Sequence, residues 1–300
     1  MTAPQPSTRQ TLSYLRNLFQ ERGLKPKNKL GQNFLIDLNL LDVLLAAAEL
    51  TPDDLALEVG SGTGSLTLRL AEQAGAVLSV EVDPAFAALT AEAVHGRDNV
   101  AVLHADVLKN KNDLNPNLFP AIADLARRFS TKQVKLVANL PFAVAVPVLS
   151  NLLLLDEPPA LLVGTVQWEI AERLLASVRT KEYGALAVLV QSIADVELIR
   201  RLPPSVFWPR PLVFSAIVRI RPSPEKRANV GDVRQFRIFL RDLYTHRRKN
   251  LRGALLGFAG KPFTKGEVDE RLAALGIDGT ARAESLDLEQ HLRLCKAFST

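Results

Sequence analysis

Short apolar runs alternate with amphipathic stretches along this chain, and the alternation becomes regular from residue 38 onward. Leu38 to Leu50 carries apolar residues at near-helical spacing and stops at Thr51-Pro52, which predicts a helix. Leu55 to Val59 predicts a first strand, Leu66 to Ala74 a helix, Val77 to Val82 a second strand, and Pro84 to Val94 a helix opened by proline in its first turn. Val100 to Leu103, Val134 to Ala138 and Leu161 to Val166 predict strands three, four and five. Glu169 to Leu175 and Leu186 to Ile193 suit helices, and Val196 to Leu202 and Ser215 to Ile220 suit two last strands able to pair as a hairpin. Between strands three and four, Asp106 to Lys132 reads as an exposed Asn- and Lys-rich loop plus a short helix. Repeated βα units predict an α/β fold with a doubly wound, mostly parallel seven-stranded sheet, whose ligands sit at the carboxyl ends of the strands.

The flanks read differently. Leu12, Leu15, Leu18 and Phe19 predict an amphipathic helix followed by the basic residues Arg22, Lys25, Lys27 and Lys29, an arm suited to phosphate or a solvated tail. Arg221-Pro222-Ser223-Pro224-Glu225-Lys226 reads as a linker. Beyond it, Val233 to Tyr244, Arg247 to Leu256, Lys265 to Ala274 and Leu288 to Phe298 all suit helices. The expected organisation is a basic arm over 1–30, a sheet domain over 31–221 and a small all-α domain over 222–300.

Composition narrows the class. A chain of 300 residues that is 47% hydrophobic can bury a large core. No apolar run approaches the roughly 20 residues that cross a bilayer, and Met1 to Gln10 lacks an apolar signal core. The single cysteine, Cys295, excludes an internal disulfide framework and a Cys-rich metal site, and no His or carboxylate cluster has metal-ligand spacing. The expectation is a cytoplasmic, metal-free protein with no membrane partner. From Arg200 to Arg252 there are 14 Lys/Arg against 3 Asp/Glu, a local +11 within a chain of net +5. Such asymmetry fits a polyanionic partner, nucleic acid first, or a solvated basic surface.

The candidate chemistry lies at the strand ends. Glu58-Val59-Gly60-Ser61-Gly62-Thr63-Gly64 joins strand one to a helix, and glycines there permit a sharp turn and close approach of a ligand. That turn fits a dinucleotide, S-adenosylmethionine (SAM) or a plain structural turn. Glu81 ends strand two about twenty residues on, where a carboxylate accepts from a ribose diol. Asp83 beside it suits a helix cap before Pro84. Asp106 follows strand three, where it accepts from an exocyclic amine or closes a turn. Leu30-Gly31-Gln32-Asn33-Phe34-Leu35 places two amides beside an aromatic, for a ligand or for turn hydrogen bonds. Asn139-Leu140-Pro141-Phe142 follows strand four; alone it suits an Asn-x-Pro turn with a core phenylalanine, but with the glycine turn, Glu81 and Asp106 on successive strands it suits chemistry. Methylation of an adenine amine needs two acceptors for the N6 hydrogens, met by the Asn139 side chain and the Leu140 carbonyl. Pro141 fixes the turn, and Phe142 offers a face for an unstacked base, worth roughly 1–3 kcal/mol.

On these residues the chain resembles the KsgA/RsmA (Dim-type) family of small-subunit ribosomal RNA adenine N6,N6-dimethyltransferases. The resemblance extends through Gln167 and Glu169 to Leu174, Tyr183-Gly184, Phe207 to Ser215, His246 to Arg252, and Arg282 to Leu286. It implies a Rossmann-like SAM-dependent methyltransferase with Gln32, Asn33, Leu35, Gly60, Gly62, Gly64, Glu81, Asp106 and Asn139 around the cofactor. Asn139, Leu140, Pro141 and Phe142 would be catalytic. It also implies action on a pre-ribosomal small subunit, dimethylating two adjacent adenosines in a hairpin near the 3′ end of its RNA; a monomer is the separate expectation. Arg247, Arg248, Lys249 and Arg252 would contact that RNA. Phe142 replaces the usual tyrosine, and Trp168 stands where a charged residue is more usual. The alternatives are a large-subunit rRNA adenine methyltransferase, a non-catalytic nucleic-acid-binding factor on the same fold, and a nicotinamide oxidoreductase. The last leaves Asn139 to Phe142 unexplained.

Overall fold

A computed structural model describes residues 11–27, 30–258 and 263–298. Lys29 and the first ten residues of the expected arm lie outside them. The chain forms two compact units, one of Met1–Ala171 with Glu197–Arg221, the other of Glu172–Val196 with Pro222–Thr300.

The first unit is built on seven strands: β1 (Asp54–Val59), β2 (Ala76–Glu81), β3 (Val100–His104), β4 (Gln133–Ala138), β5 (Leu161–Gln167), β6 (Ala194–Leu202) and β7 (Ser215–Pro222). Their order is β3-β2-β1-β4-β5-β7-β6. The first five run parallel, and β7 is antiparallel to β5, with Ser215 opposite Gln167. β1 and β2 are buried along their whole length, as continuous apolar runs covered by helices on both faces require. After β1 the chain builds outward to β2 and β3, then returns to place β4 on the other side. The carboxyl ends of β1 and β4 therefore flank the switch point, where an open α/β sheet leaves a crevice. Those ends carry Gly60 and Asn139.

At the amino ends of the same strands a buried ion pair fixes the sheet. Lys135 Nζ lies 2.9 Å from Asp54, and both side chains are almost fully enclosed. Asp54 also accepts from Thr51 and Gln133. Burial acts to raise the Asp54 carboxyl, yet these donors hold it below the ordinary range. Two charges are tolerated here because each is matched by hydrogen bonds.

Several expectations change. Residues 11–27 are no free arm: the helix Leu12–Glu21 buries Leu15 and Phe19, and Phe19 meets Phe34, Phe86 and Trp208 at centroid distances of 5.3, 5.6 and 4.9 Å. Arg22 pairs with Glu92, and Lys27 with Asp83, so carboxylates neutralise these two cations locally. The 106–132 segment is folded, with a small hairpin (Leu108–Asn110 with Asp113–Leu114) and the helix Leu118–Phe129, which buries Leu118 and Leu125. The expected linker is also ordered. β7 runs to Pro222, and Ser223 caps the helix Pro224–Val230 by accepting from Lys226 N–H. A helix missed in the sequence, Ala145–Leu153, follows the Asn139 loop.

In the second unit the helix Ala185–Gln191 packs on Val233–Thr245, so residues 172–196 group with the C-terminal helices and not, as the linear division at 221 implied, with the sheet. At its centre His291 is fully buried. Its Nδ1 lies 2.8 Å from the Asp287 carbonyl and must donate, which leaves Nε2 to accept from the Tyr244 hydroxyl 3.1 Å away. Burial lowers His291 to about 4, so the ring is neutral.

Candidate active site

The glycine turn works because its backbone lies in the left-handed region. Gly60, Gly62 and Gly64 have φ of 82°, 55° and 76°. A Cβ on Gly60 would lie 2.8 Å from Pro141 Cγ, and one on Gly62 would lie 2.8 Å from the Phe34 ring. The turn is thus wedged between the loop after β4 and the Gly31–Leu35 loop. Gly64 faces away from the crevice, where a Cβ would meet Ala93 and Thr90. It admits the helix Pro84–Ala93 and does not line the cavity, unlike the cofactor role read from the sequence.

The cavity at the switch point is lined by Gln32, Asn33, Leu35, Gly60, Gly62, Glu81, Asp106, Asn139 and Pro141. Nine sequence-selected residues therefore converge in one crevice. Leu140 and Phe142 do not line it. Leu140 turns its side chain onto Gly164, and Phe142 meets Phe207 edge-on at 6.5 Å.

Glu81 is 5% exposed and accepts from Gly62 N–H and Asp83 N–H, each at 3.0 Å. Burial raises its pKa, and those two N–H groups oppose the rise. One donor on each oxygen leaves lone pairs for a ligand diol. Asp83 is the helix cap expected, accepting from Ala85 N–H, and it also pairs with Lys27 at 2.7 Å. Asp106 accepts from Leu108 N–H at 2.9 Å, so it closes a turn while its edge lines the cavity. Gln32 is oriented by Lys27 N–H and by Asp83.

Asn139 is held at both ends of its amide. Its Nδ2 donates to the Asn33 carbonyl at 2.8 Å, and its Oδ1 accepts from Thr165 Oγ1 at 2.5 Å. A carbonyl on one side and a hydroxyl on the other fix which end is oxygen. Among the described residues no donor reaches the Leu140 carbonyl, whereas that of Pro141 accepts from Val144 and Ala145 at 3.0 and 3.1 Å. Proline at 141 and a helix start at 145 thus leave one backbone acceptor open beside Asn139.

Two residues escaped the sequence reading. Thr165 is a fully buried polar residue within the apolar strand β5, and that misfit was the available signal. Glu58 was quoted only as part of the glycine motif. It lies beneath the turn, accepting from Thr67 at 2.5 Å and Ser79 at 2.6 Å. Burial pushes it up to about 7, against the pull of those hydroxyls. Among the described residues no group of His, Cys, Asp or Glu is arranged to hold a metal.

The C-terminal basic residues divide. Arg247 binds Glu284 at 2.8 Å and the Lys181 carbonyl, and Arg252 binds Asp269. Arg248 and Lys249 are exposed, and no carboxylate among the described residues pairs with them. They precede the helix Leu251–Leu255, capped by Asn250, which starts later than the expected Arg247.

The chain is similar along most of its length to known proteins. A "Ribosomal RNA small subunit methyltransferase A" of Pelotomaculum thermopropionicum is 40% identical over 286 residues, 95% of each chain. Its namesake in Geobacillus kaustophilus is 35% identical, over 95% of this chain and 94% of that one. A dimethyladenosine transferase from Plasmodium falciparum superposes with a TM-score of 0.69 over 86% of this chain and 94% of that one; at 23% identity it speaks for the fold alone. The 23S rRNA methyltransferase ErmE superposes with a TM-score of 0.60 at 26% identity, over 89% of this chain and all of that one. The fold is that of Rossmann-like methyltransferases, and residues 23–300 match the model of one family. The chain belongs to the ribosomal RNA adenine dimethylase family.

Proposed function

We infer that this chain dimethylates adenosine at N6 in small-subunit ribosomal RNA, with SAM as donor. The observation that carries this reading is the doubly anchored Asn139 amide at the switch point, facing a cavity whose other wall is the glycine turn. The residues fit SAM: Gly60 and Gly62 present bare backbone to the cavity while letting Pro141 and Phe34 close against the turn, and Glu81 keeps lone pairs for a ribose diol. Asp106 and Gln32 line the same cavity and would reach the adenine and the polar tail. SAM supplies a methyl group already activated on sulfur, so no strong base need precede attack.

What the protein adds is position. Asn139 Oδ1 has one lone pair left after Thr165, and the Leu140 carbonyl is open. Together they accept the two N6 hydrogens and favour a pyramidal nitrogen whose lone pair points at the methyl. Phe142, braced by Phe207, offers a face to the extruded base. Arg248 and Lys249 would meet RNA phosphate. The large-subunit alternative loses support because the relatives at 35–40% identity are small-subunit enzymes, against 26% for ErmE. We extend the reading to a cytoplasmic monomer that modifies two adjacent adenosines of a pre-ribosomal small subunit, and sedimentation with and without RNA tests the monomer. The direct test is mass spectrometry of methyl-deficient small subunits after incubation with protein and SAM. Two neighbouring dimethyladenosines are expected; modification of large-subunit RNA alone would overturn the reading.

A further inference from the structure

Trp168, Arg201 and Phe214 form a stack that the proposed chemistry does not use. The Arg201 guanidinium carbon lies 4.4 Å from the centroid of Trp168 and 4.4 Å from that of Phe214. A cation so placed is held in a fixed orientation by the two ring quadrupoles. Its surroundings are exposed: Phe214 is 43% exposed and Leu212 entirely so. On the same edge Arg219 and Arg221 are spoken for, since both bind Glu49 and Arg219 also binds Glu197. Among the described residues neither Arg201 nor the neighbouring Arg210 has a carboxylate partner.

The position is informative. Trp168 follows the last residue of β5, and its N–H donates to the Phe214 carbonyl at 2.9 Å. Thr165, which anchors Asn139, lies three residues earlier on the same strand, a span of about 10 Å at strand rise. The stack therefore sits on the carboxyl edge of the sheet, beside the crevice. Two rings lie 4.4 Å from its guanidinium carbon and no carboxylate pairs with it, so Arg201 keeps N–H donors whose fork matches the oxygens of a phosphate.

We propose that Trp168, Arg201 and Phe214 form a binding site for a backbone phosphate of the RNA strand flanking the target adenosine. The proposal rests on the RNA-methyltransferase reading for the identity of the strand. It gives Trp168 a role as the ring that aims Arg201, and it makes the exposed 210–214 loop the outer wall of the path taken by the RNA.

The test measures binding of a small-subunit RNA hairpin without SAM across a salt series, and separately its methylation. Arg201→Ala should weaken binding five- to tenfold and lower the salt slope by roughly 0.7 to 0.9, one phosphate's share. Affinity for SAM should not change. Arg201→Lys should keep the slope but recover only part of the affinity, and Trp168→Leu should keep the slope and lose affinity. A neutral methylphosphonate at the contacted linkage should weaken the wild-type protein and leave Arg201→Ala unaffected. An unchanged slope and affinity in Arg201→Ala, with its melting temperature intact, overturns the proposal even if methylation proceeds. Failure of the wild-type protein to methylate any RNA would instead overturn the functional reading, while the salt series would still decide the phosphate site.

Discussion

Gly60 and Pro141 touch across the switch point, with a Cβ on Gly60 placed 2.8 Å from the proline Cγ. The turn after β1 and the loop after β4 are therefore one assembly, and the glycine is needed for both its φ of 82° and its missing side chain. Gly60→Ala should weaken SAM at least tenfold, since the left-handed conformation alone costs about 1–2 kcal/mol. Calorimetry checks this. Adding Pro141→Ala should restore only the steric part, and wild-type affinity in the single variant would show that the two loops are not coupled.

The Thr165 hydroxyl sets the Asn139 amide from the side opposite the Asn33 carbonyl. Thr165→Val keeps the shape and removes that donor, so kcat should fall roughly ten- to a hundredfold while the SAM dissociation constant stays within about twofold, a loss typical of a positioning hydrogen bond. Asn139→Ala should abolish turnover. Single-turnover rates at saturating SAM separate the effects, and a normal rate for Thr165→Val would remove it from the site.

What could be read from the chain followed from where each residue stood. Gly60, Glu81, Asp106 and Asn139 each stand at or just past the end of a largely apolar run, and a parallel sheet brings such ends together at one edge. Thr165 and Glu58 lie inside buried strands, where their roles depend on neighbours across the sheet or on another element. The helix Ala145–Leu153 hid because a helix buried on most sides has no polar face and contains Pro147 in its first turn. Arg247 and Arg248 look alike in sequence. Glu284, 37 residues away, and the Lys181 carbonyl distinguish them.

Glu58 gives the fold a pH dependence with a definite sign. Its folded pKa of about 7 lies above its ordinary 4.5, so the folded state prefers the protonated acid. The stabilisation is complete below pH 4.5 and is lost as pH rises through 7. The melting temperature should fall between pH 5.5 and 8, and Glu58→Gln, neutral throughout, should flatten that fall. The gap between the two at pH 8 should be on the order of 3 kcal/mol, since each tenfold change in a proton-binding equilibrium is worth about 1.4 kcal/mol. Parallel thermal curves for the two proteins across this range would refute the assignment.

The basic run at 247–252 separates into two behaviours. Arg248 and Lys249 are exposed without a carboxylate partner among the described residues, so their charges remain available to a polyanion. Neutralising both should weaken RNA binding and reduce the salt slope by roughly 1.4 to 1.8, two phosphates' worth, with little change in melting temperature. Arg247 spends its guanidinium on Glu284 and on the Lys181 carbonyl, joining three segments of the second unit. Arg247→Ala should lower the melting temperature by about 2–4 °C, the shift expected for about 1 kcal/mol in a chain of this size, and change the salt slope little. Arg252→Ala should behave likewise through Asp269. Salt titration with thermal unfolding of the variants decides the matter: equal slope losses for Arg247 and Arg248 would mean that RNA displaces the internal ion pair, and the division drawn between them would fail.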